Sequence, residues 1–188
     1  MASQTAKEGN SSMLQTKPLG MSSPSRSRFF FIAQVTLRVL AIAFTVSAIS
    51  VMVTSGQSVL IFGFTLKARY SYSSALRFLL GTDAVACAFS ALSLIFLYLL
   101  RFSRSQLTIY FYLFLHDMVI MVLMNSGCAA ATAVGYIGRY GEERVGWDAV
   151  CGHVDKFCHR NLVSLVLSYL AFLTYLALAI ISASKLMY

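Results

Sequence analysis

The chain has 188 residues, of which 58% are hydrophobic and only 12% are charged, and its formal net charge is +8. Soluble domains carry about 25% charged residues, so this composition excludes an ordinary soluble domain and indicates a membrane protein. The basic residues are scattered in small groups beside apolar runs and form no basic-aromatic motif, which argues against nucleic acid as a partner.

The first 28 residues form a polar tail. This segment is rich in serine, contains both prolines of the chain, Pro18 and Pro24, and has no hydrophobic periodicity. Such a composition predicts a disordered tail. The apolar run that follows is longer than the core of a signal peptide, which spans ~7–15 residues, so we expect the first helix to remain as an uncleaved anchor.

Four apolar runs follow the tail, and each is long enough to cross ~30 Å of hydrocarbon as a helix. The predicted spans are 29–54, 76–100, 109–137 and 162–184. The predicted connections are 55–75, 101–108 and 138–161, with a short C-terminus at 185–188. The sequence therefore predicts an all-α membrane protein, a four-transmembrane-helix bundle with a short extracellular β-hairpin-like loop.

The orientation of the bundle depends mainly on the cysteines, because lysine and arginine flank the spans on both sides. Cys151 and Cys158 lie in the last connection, where a disulfide requires an oxidising compartment. We therefore expect both termini in the cytosol and the loops 55–75 and 138–161 outside. Glycosylation of Asn10, in the sequon Asn-Ser-Ser, would overturn this topology.

Arg38 is the only ionisable residue of the first span. An arginine at a helix centre costs roughly 2.5–3.5 kcal/mol on insertion scales, which favours a partner inside the membrane. Arg38 and Asp117 lie about 14 and 12 Å from the cytoplasmic edge, whereas Asp83 lies about 10 Å from the opposite edge. The matching depths predict an intramembrane ion pair between Arg38 and Asp117 that fixes how the first and third helices meet.

Two other interpretations of this pair stay open. The pair could bind a partner or report correct folding, or it could belong to an ion or proton path that includes His116. Adjacent residues on a helix point about 100° apart, so His116 and Asp117 need not line one cavity. A lock between two helices is the favoured interpretation.

Each outer loop carries a pattern of its own. In the first, the runs Val59–Phe62 and Phe64–Tyr72 flank Gly63, and alternation in the second run predicts a short hairpin or extended pair. In the last, we expect a disulfide between Cys151 and Cys158. Zinc ligation together with His153 and His159 is the alternative, although the spacing matches no standard zinc finger.

Signals for catalysis are sparse. The sequence contains no GxSxG, HExxH, P-loop or CxxC motif, so we expect a protein that is not an enzyme and uses neither a metal nor a cofactor. Cys87 and Cys128 fall inside spans and are expected to be small packing residues.

Two segments of the chain resemble a known family. They are LRVLAIAFTVSAISVMVTSGQ, with its central arginine, and ALRFLLGTDAVACAFSALSL. Together with the third span that carries Asp117 and a fourth span after a two-cysteine loop, they resemble the plant CASP-like proteins. These proteins are relatives of the Casparian strip membrane domain proteins and distant relatives of the MARVEL four-helix proteins. The resemblance runs from Phe29 to Ile181, and the charged pair that is the family's signature corresponds to Arg38 and Asp117.

The first outer loop departs from the Casparian strip proteins themselves. It lacks their acidic, Pro- and Phe-rich motif and looks like that of the group 1 CASP-like proteins. The resemblance implies a plasma-membrane scaffold that forms homo- and hetero-oligomers with related four-span proteins. It would organise membrane subdomains or recruit secreted wall-modifying enzymes as partners. A channel or transporter subunit that uses Arg38 and Asp117 is the alternative function.

Small residues could support such association. The outer half of the third span, from Gly127 to Gly135, is rich in glycine and alanine, which permit helices to approach closely. Packing within one monomer explains the same residues equally well.

Overall fold

A computed structural model describes residues 24–61, 64–100, 106–142, 146–152 and 154–187. Most of these residues belong to four long helices. The helices are α1 (Pro24–Val53), α2 (Ser74–Leu100), α3 (Gln106–Tyr140) and α4 (Asp155–Met187). By length and composition each of the four is able to cross a membrane, which confirms the predicted helical membrane protein.

Two short strands lie between α1 and α2. Strand β1 (Gln57–Ile61) pairs antiparallel with β2 (Phe64–Ala68), so that Gln57 is opposite Ala68 and Ile61 is opposite Phe64. Gly63, on which the prediction of a turn depended, lies outside the described residues.

A 3₁₀ helix, Tyr70–Tyr72, follows β2 and leads into α2. Its turn is closed by the Tyr72 amide, which donates to the Arg69 carbonyl at 3.1 Å. The prediction that the extended run continues to Tyr72 was therefore wrong. The alternation of polar and apolar residues continues past Ala68, but the backbone turns there to enter the helix.

All four helices begin earlier than the apolar runs indicate, and the difference is largest for α1 and α4. α1 starts at Pro24, inside the predicted tail, because proline suits the first turn of a helix, where its missing N–H is not needed. The tail residues 1–23 lie outside the described residues. α4 starts at Asp155, ahead of the predicted span at 162, and an acidic side chain in the first turn stabilises a helix N-terminus. As a result, Cys158 lies on α4 and not in the loop.

The end of α3 is set by Gly141. Its φ of +72° is the left-handed conformation that commonly ends a helix, and its amide donates to the Ile137 carbonyl at 2.8 Å. A Cβ at this position would also lie 2.6 Å from the Trp147 carbonyl oxygen. The helix therefore continues to Tyr140, beyond the predicted boundary at 137.

The helices form a ring in which α1 and α3 each pack along both α2 and α4. α1 and α3 thus face each other across the diagonal of the bundle. Two clusters of buried apolar side chains fill the interior. One, at mid-bundle, contains Ala41, Ala86, Ile120, Met124, Ala171, Tyr175 and Leu178. The other contains Met52, Leu76, Leu79, Cys128 and Ala131, and it lies towards the end that carries the Cys151–Cys158 disulfide, hereafter the disulfide end.

Gly127 allows α3 to approach α2 closely. A Cβ built at Gly127 would lie 2.5 Å from the Thr82 hydroxyl oxygen. Thr82 is buried, and its hydroxyl already donates to the Leu79 carbonyl at 2.8 Å. Gly135, by contrast, has nothing within 4 Å of such a Cβ. Part of the small-residue segment of α3 is thus used for packing within the monomer.

We expect Gly127→Ala to destabilise the purified protein, because overpacking a close contact typically costs about 1–3 kcal/mol. Gly135→Ala is the matched control on the same helix, and we expect it to match the wild type. The measurement is the fraction of monodisperse protein left after heating, followed by fluorescence-detected gel filtration. Equal melting of the two variants would contradict the packing described for Gly127.

Candidate functional site

The structure brings Arg38 and Asp117 together at the centre of the bundle. Both side chains are 0% exposed, and Arg38 Nη2 donates to both carboxylate oxygens of Asp117, at 2.9 and 2.8 Å. Their helices are diagonal partners in the ring, so the bond crosses the interior between α2 and α4. The first and third helices therefore meet through this side-chain bond and not by packing along each other. The long arginine side chain spans the gap between two helices that do not pack along each other.

The ion pair uses one nitrogen of the guanidinium. Arg38 Nε and Nη1 are buried and have no hydrogen-bond partner within the described parts of the chain. Buried ion pairs contribute little net stability unless their remaining donors are bonded, although loss of one partner leaves a costly buried charge. The pair is therefore better explained as a device that selects one arrangement of the helices than as a source of stability.

His116 also contacts Asp117. Its Nδ1 atom lies 3.2 Å from Asp117 Oδ1, so the two neighbouring side chains do meet despite their angular separation on the helix. The imidazole packs against Phe89 of α2, with the ring centroids 5.5 Å apart. It also lines a cavity of about 510 Å³ between α2 and α3. The Asp117 carboxylate thus has partners on α1 and on its own helix.

Asp83 is separate from this pair. It is fully buried on α2, and its Oδ2 atom accepts a hydrogen bond from the Ser168 hydroxyl at 2.7 Å. Its other oxygen has no partner among the described residues. As the depths predicted, Arg38 bonds to Asp117 and not to Asp83. Asp83 instead joins α2 to α4.

Other buried polar contacts join α4 to α1 and to α2. Gln34 of α1 donates to the Ser182 hydroxyl at 2.8 Å, and Tyr175 donates to the Ala86 carbonyl of α2 at 2.8 Å. The Ser164 hydroxyl donates to the Ala48 carbonyl of α1 at 2.8 Å. Together with the Arg38–Asp117 and Asp83–Ser168 contacts, these bonds form the buried polar network.

The polar residues of α4 in this network were missed in the sequence. Their signal is a repeat: buried residues recur along α4 at alternating spacings of four and three. Apart from Ala179, which is buried beside Leu178, the residues are Ser164, Ser168, Ala171, Tyr175, Leu178 and Ser182. Such spacing marks the seam of a helix that packs at a shallow angle on its neighbours, and three of its six members are serines.

The two cysteines of the predicted last loop form a disulfide. It joins Cys151, in the 3₁₀ helix Val150–Gly152, to Cys158 in the first turns of α4, with 5.8 Å between their Cα atoms. Of the histidines in the alternative zinc set, His159 is exposed and His153 lies outside the described residues. Cys128 is buried and Cys87 half-buried, both as free thiols.

Loss of one member of the central pair should be more harmful than loss of both. We expect Arg38→Ala and Asp117→Ala each to destabilise the protein by about 3–5 kcal/mol. The first variant leaves the buried Asp117 without its ion-pair partner, and the second leaves the buried Arg38 without its own. The double variant Arg38→Met with Asp117→Leu should recover most of this loss. The measurements are the fraction of protein that leaves the endoplasmic reticulum and the melting temperature after purification. Arg77→Ala, at an exposed position of α2, is the control. Single variants that express and melt like the control would contradict the prediction.

Comparison with known proteins shows which family the sequence of this chain matches. The model of the Casparian strip membrane protein domain matches residues 27–174, a range that contains the ion pair and both bonded cysteines. CASP-like protein 1F2 of Ricinus communis is 60% identical over 160 residues, which cover 85% of this chain and 80% of the relative.

Other relatives extend the match over more of the chain. CASP-like protein 1F3 of Populus trichocarpa is 53% identical over 171 residues, 90% of this chain and 89% of its own length. CASP-like protein 1F2 of Vitis vinifera is 47% identical over 186 residues, 99% of this chain and 96% of its own length. No solved structure shows a significant match. The chain therefore belongs to the CASP-like family of plant membrane proteins, in group 1.

Proposed function

We propose that this protein is a non-enzymatic scaffold of the plasma membrane that associates with copies of itself and with related four-span proteins. The observation that carries the proposal is the buried polar network. Its members bond from one helix to another and hold the bundle in one arrangement, so the outer surfaces and loops are left to bind partners. Membership of the CASP-like family supports the same conclusion.

The exposed face of α2 is the surface that we propose for self-association. It carries four small exposed residues at spacings of three and four, Gly81, Ala84, Ala88 and Ala91. A Cβ built at Gly81 meets nothing within 4 Å. Inside a membrane, helices associate through small residues that let their backbones approach closely. We call these four residues the small-residue face of α2.

The loops at the disulfide end are the proposed contact for secreted wall-modifying enzymes. Exposed aromatic side chains lie at this end, Tyr72 and Trp147 in the connections and Tyr136 and Tyr140 near the end of α3. Aromatic residues anchor a protein at the membrane surface and are also enriched in protein interfaces. This proposal places the disulfide end outside the cell and both termini in the cytosol.

A channel or transporter subunit is the competing function. The contact between His116 and Asp117 gives the buried carboxylate a titratable neighbour, as a proton path requires. Asp117 is, however, bound by Arg38 from the opposite helix, and Asp83 is bonded to a different helix, α4. The acids of the interior are thus parts of separate contacts between helices, which favours the scaffold.

Thiol labelling tests the proposed orientation. A membrane-impermeant maleimide added to intact cells should label the wild type only after mild reduction, because Cys151 and Cys158 are bonded to each other. Cys158→Ser should be labelled through Cys151 without reduction, and the double variant Cys151→Ser with Cys158→Ser should not be labelled. Labelling of Cys158→Ser only after the membrane is permeabilised would place this end in the cytosol.

Co-purification of two differently tagged copies tests self-association. We expect the copies to purify together and to sit in immobile patches when fluorescence recovery is measured in cells. Ala88→Leu should weaken the association by about tenfold, because a bulky side chain forces the two backbones apart. Ala133→Leu, at an exposed position of α3, should have no effect.

Two results would contradict the scaffold proposal. One is a mobile protein whose tagged copies do not purify together. The other is proton movement in liposomes containing the purified protein that is lost in Asp117→Asn, which would establish the competing function.

A further inference from the structure

A groove opens between α3 and α4 at the disulfide end. It encloses about 840 Å³, a volume typical of ligand sites, and most of its lining is apolar. On the α3 side the lining includes Ala131, Gly135 and Gly138, and on the α4 side Leu162 and Leu165. We call it the disulfide-end groove.

The open space arises from the missing side chains of α3. A Cβ built at Gly135 would meet nothing within 4 Å, and one at Gly138 would meet only Cys151 Sγ, at 3.9 Å. The neighbouring helix therefore does not fill the space that these glycines leave. This differs from Gly127 on the same helix, where Thr82 of α2 occupies the gap.

The length of the groove matches one leaflet of a membrane. Its α3 wall runs from Ala131 to Tyr140, about 14 Å along the helix, and the hydrocarbon of one leaflet is about 15 Å thick. Tyr136, Tyr140 and Trp147 are exposed at this end of the bundle. Aromatic residues of this kind mark the level of lipid headgroups.

The lining is basic as well as apolar. Arg69 and Arg139 both line the groove and are exposed, and no acid does so among the residues that the structure describes. Neither arginine forms an ion pair within the described ranges. Glu142 and Asp148, the acids close to Arg139 that the structure describes, do not line the groove, and Glu143 lies outside the described residues. Arginine is well suited to phosphate, because its planar donors bind two oxygens at once.

We propose that the disulfide-end groove binds an anionic phospholipid of the surrounding leaflet. One acyl chain lies along the wall formed by Ala131, Gly135 and Gly138, and the phosphate binds between Arg69 and Arg139. The combination of an apolar wall one leaflet long and two guanidiniums without an ion pair among the described residues fits a lipid better than an apolar helix, which would offer neither charge an acidic group. This site does not depend on the self-association proposed for the small-residue face of α2.

Lipid retention by the full-length protein tests the proposal. Purified protein is incubated with phosphatidylglycerol or with phosphatidylcholine of identical acyl chains, and bound lipid is counted by native mass spectrometry. We expect the wild type to retain phosphatidylglycerol in preference by roughly tenfold, because the choline cation of phosphatidylcholine is repelled by the two guanidiniums.

Two sets of variants separate the headgroup from the chain. Arg69→Gln with Arg139→Gln should abolish the preference and lower retention of phosphatidylglycerol more than that of phosphatidylcholine. The matched control is Arg77→Gln, which alters an exposed arginine of α2 outside the groove. Gly135→Leu should fill the groove and reduce retention of both lipids, whereas Ala133→Leu, on the same helix but outside the lining, should not.

Several results would overturn the proposal. They are an unchanged preference in the double arginine variant, equal lipid retention by Gly135→Leu and Ala133→Leu, or a disulfide between two copies of Gly135→Cys, which would place a second copy in the groove. Gel filtration establishes that each variant is folded. If Gly135→Leu does not fold, the two exposed arginines still decide the outcome.

Discussion

The bond between Arg38 and Asp117 is the constraint around which the bundle is arranged. A charge at the centre of a membrane needs a partner, and this partner lies on the diagonally opposite helix. The two remaining helices must then lie on either side of the bond and close it off from lipid. The ring order of the four helices is consistent with this single requirement.

The buried polar network determines which face of each helix is turned towards the interior of the bundle. In a bilayer the lipid tails are as apolar as leucine, so an apolar helix face gains little free energy by facing the protein interior instead of lipid. On α4, Ser164, Ser168 and Ser182 determine which face is buried, because each forms a hydrogen bond with a residue of α1 or α2. The outer faces of the helices, where the structure describes them, make no such buried polar bonds to another helix. They are therefore available for partners and for lipid, and the small-residue face of α2 and the disulfide-end groove share no residue.

Much of the fold follows from the sequence because membrane spans are governed by length and hydropathy. Depth along the helix was enough to match Arg38 with Asp117 instead of Asp83. Depth does not report which helices are neighbours, so the diagonal arrangement was missed. The start of α4 was missed for another reason: the polar residues from Asp155 to Asn161 form a helix beyond the apolar run, where hydropathy carries no signal. The contact of His116 with Asp117 depends on a side-chain rotamer, which sequence spacing does not determine.

The distance along the chain between the two charges also sets an order of events during synthesis. Asp117 follows Arg38 by 79 residues. At a synthesis rate of roughly 5–20 residues per second, the arginine waits about 4–16 s before its partner is made. During that interval the side chain has to reach towards the membrane surface, as long basic side chains do, with α1 shifted from its final depth. We therefore expect the first helix to reach its final position only after the third has entered the membrane, so that the rate of translation influences how this bundle is assembled.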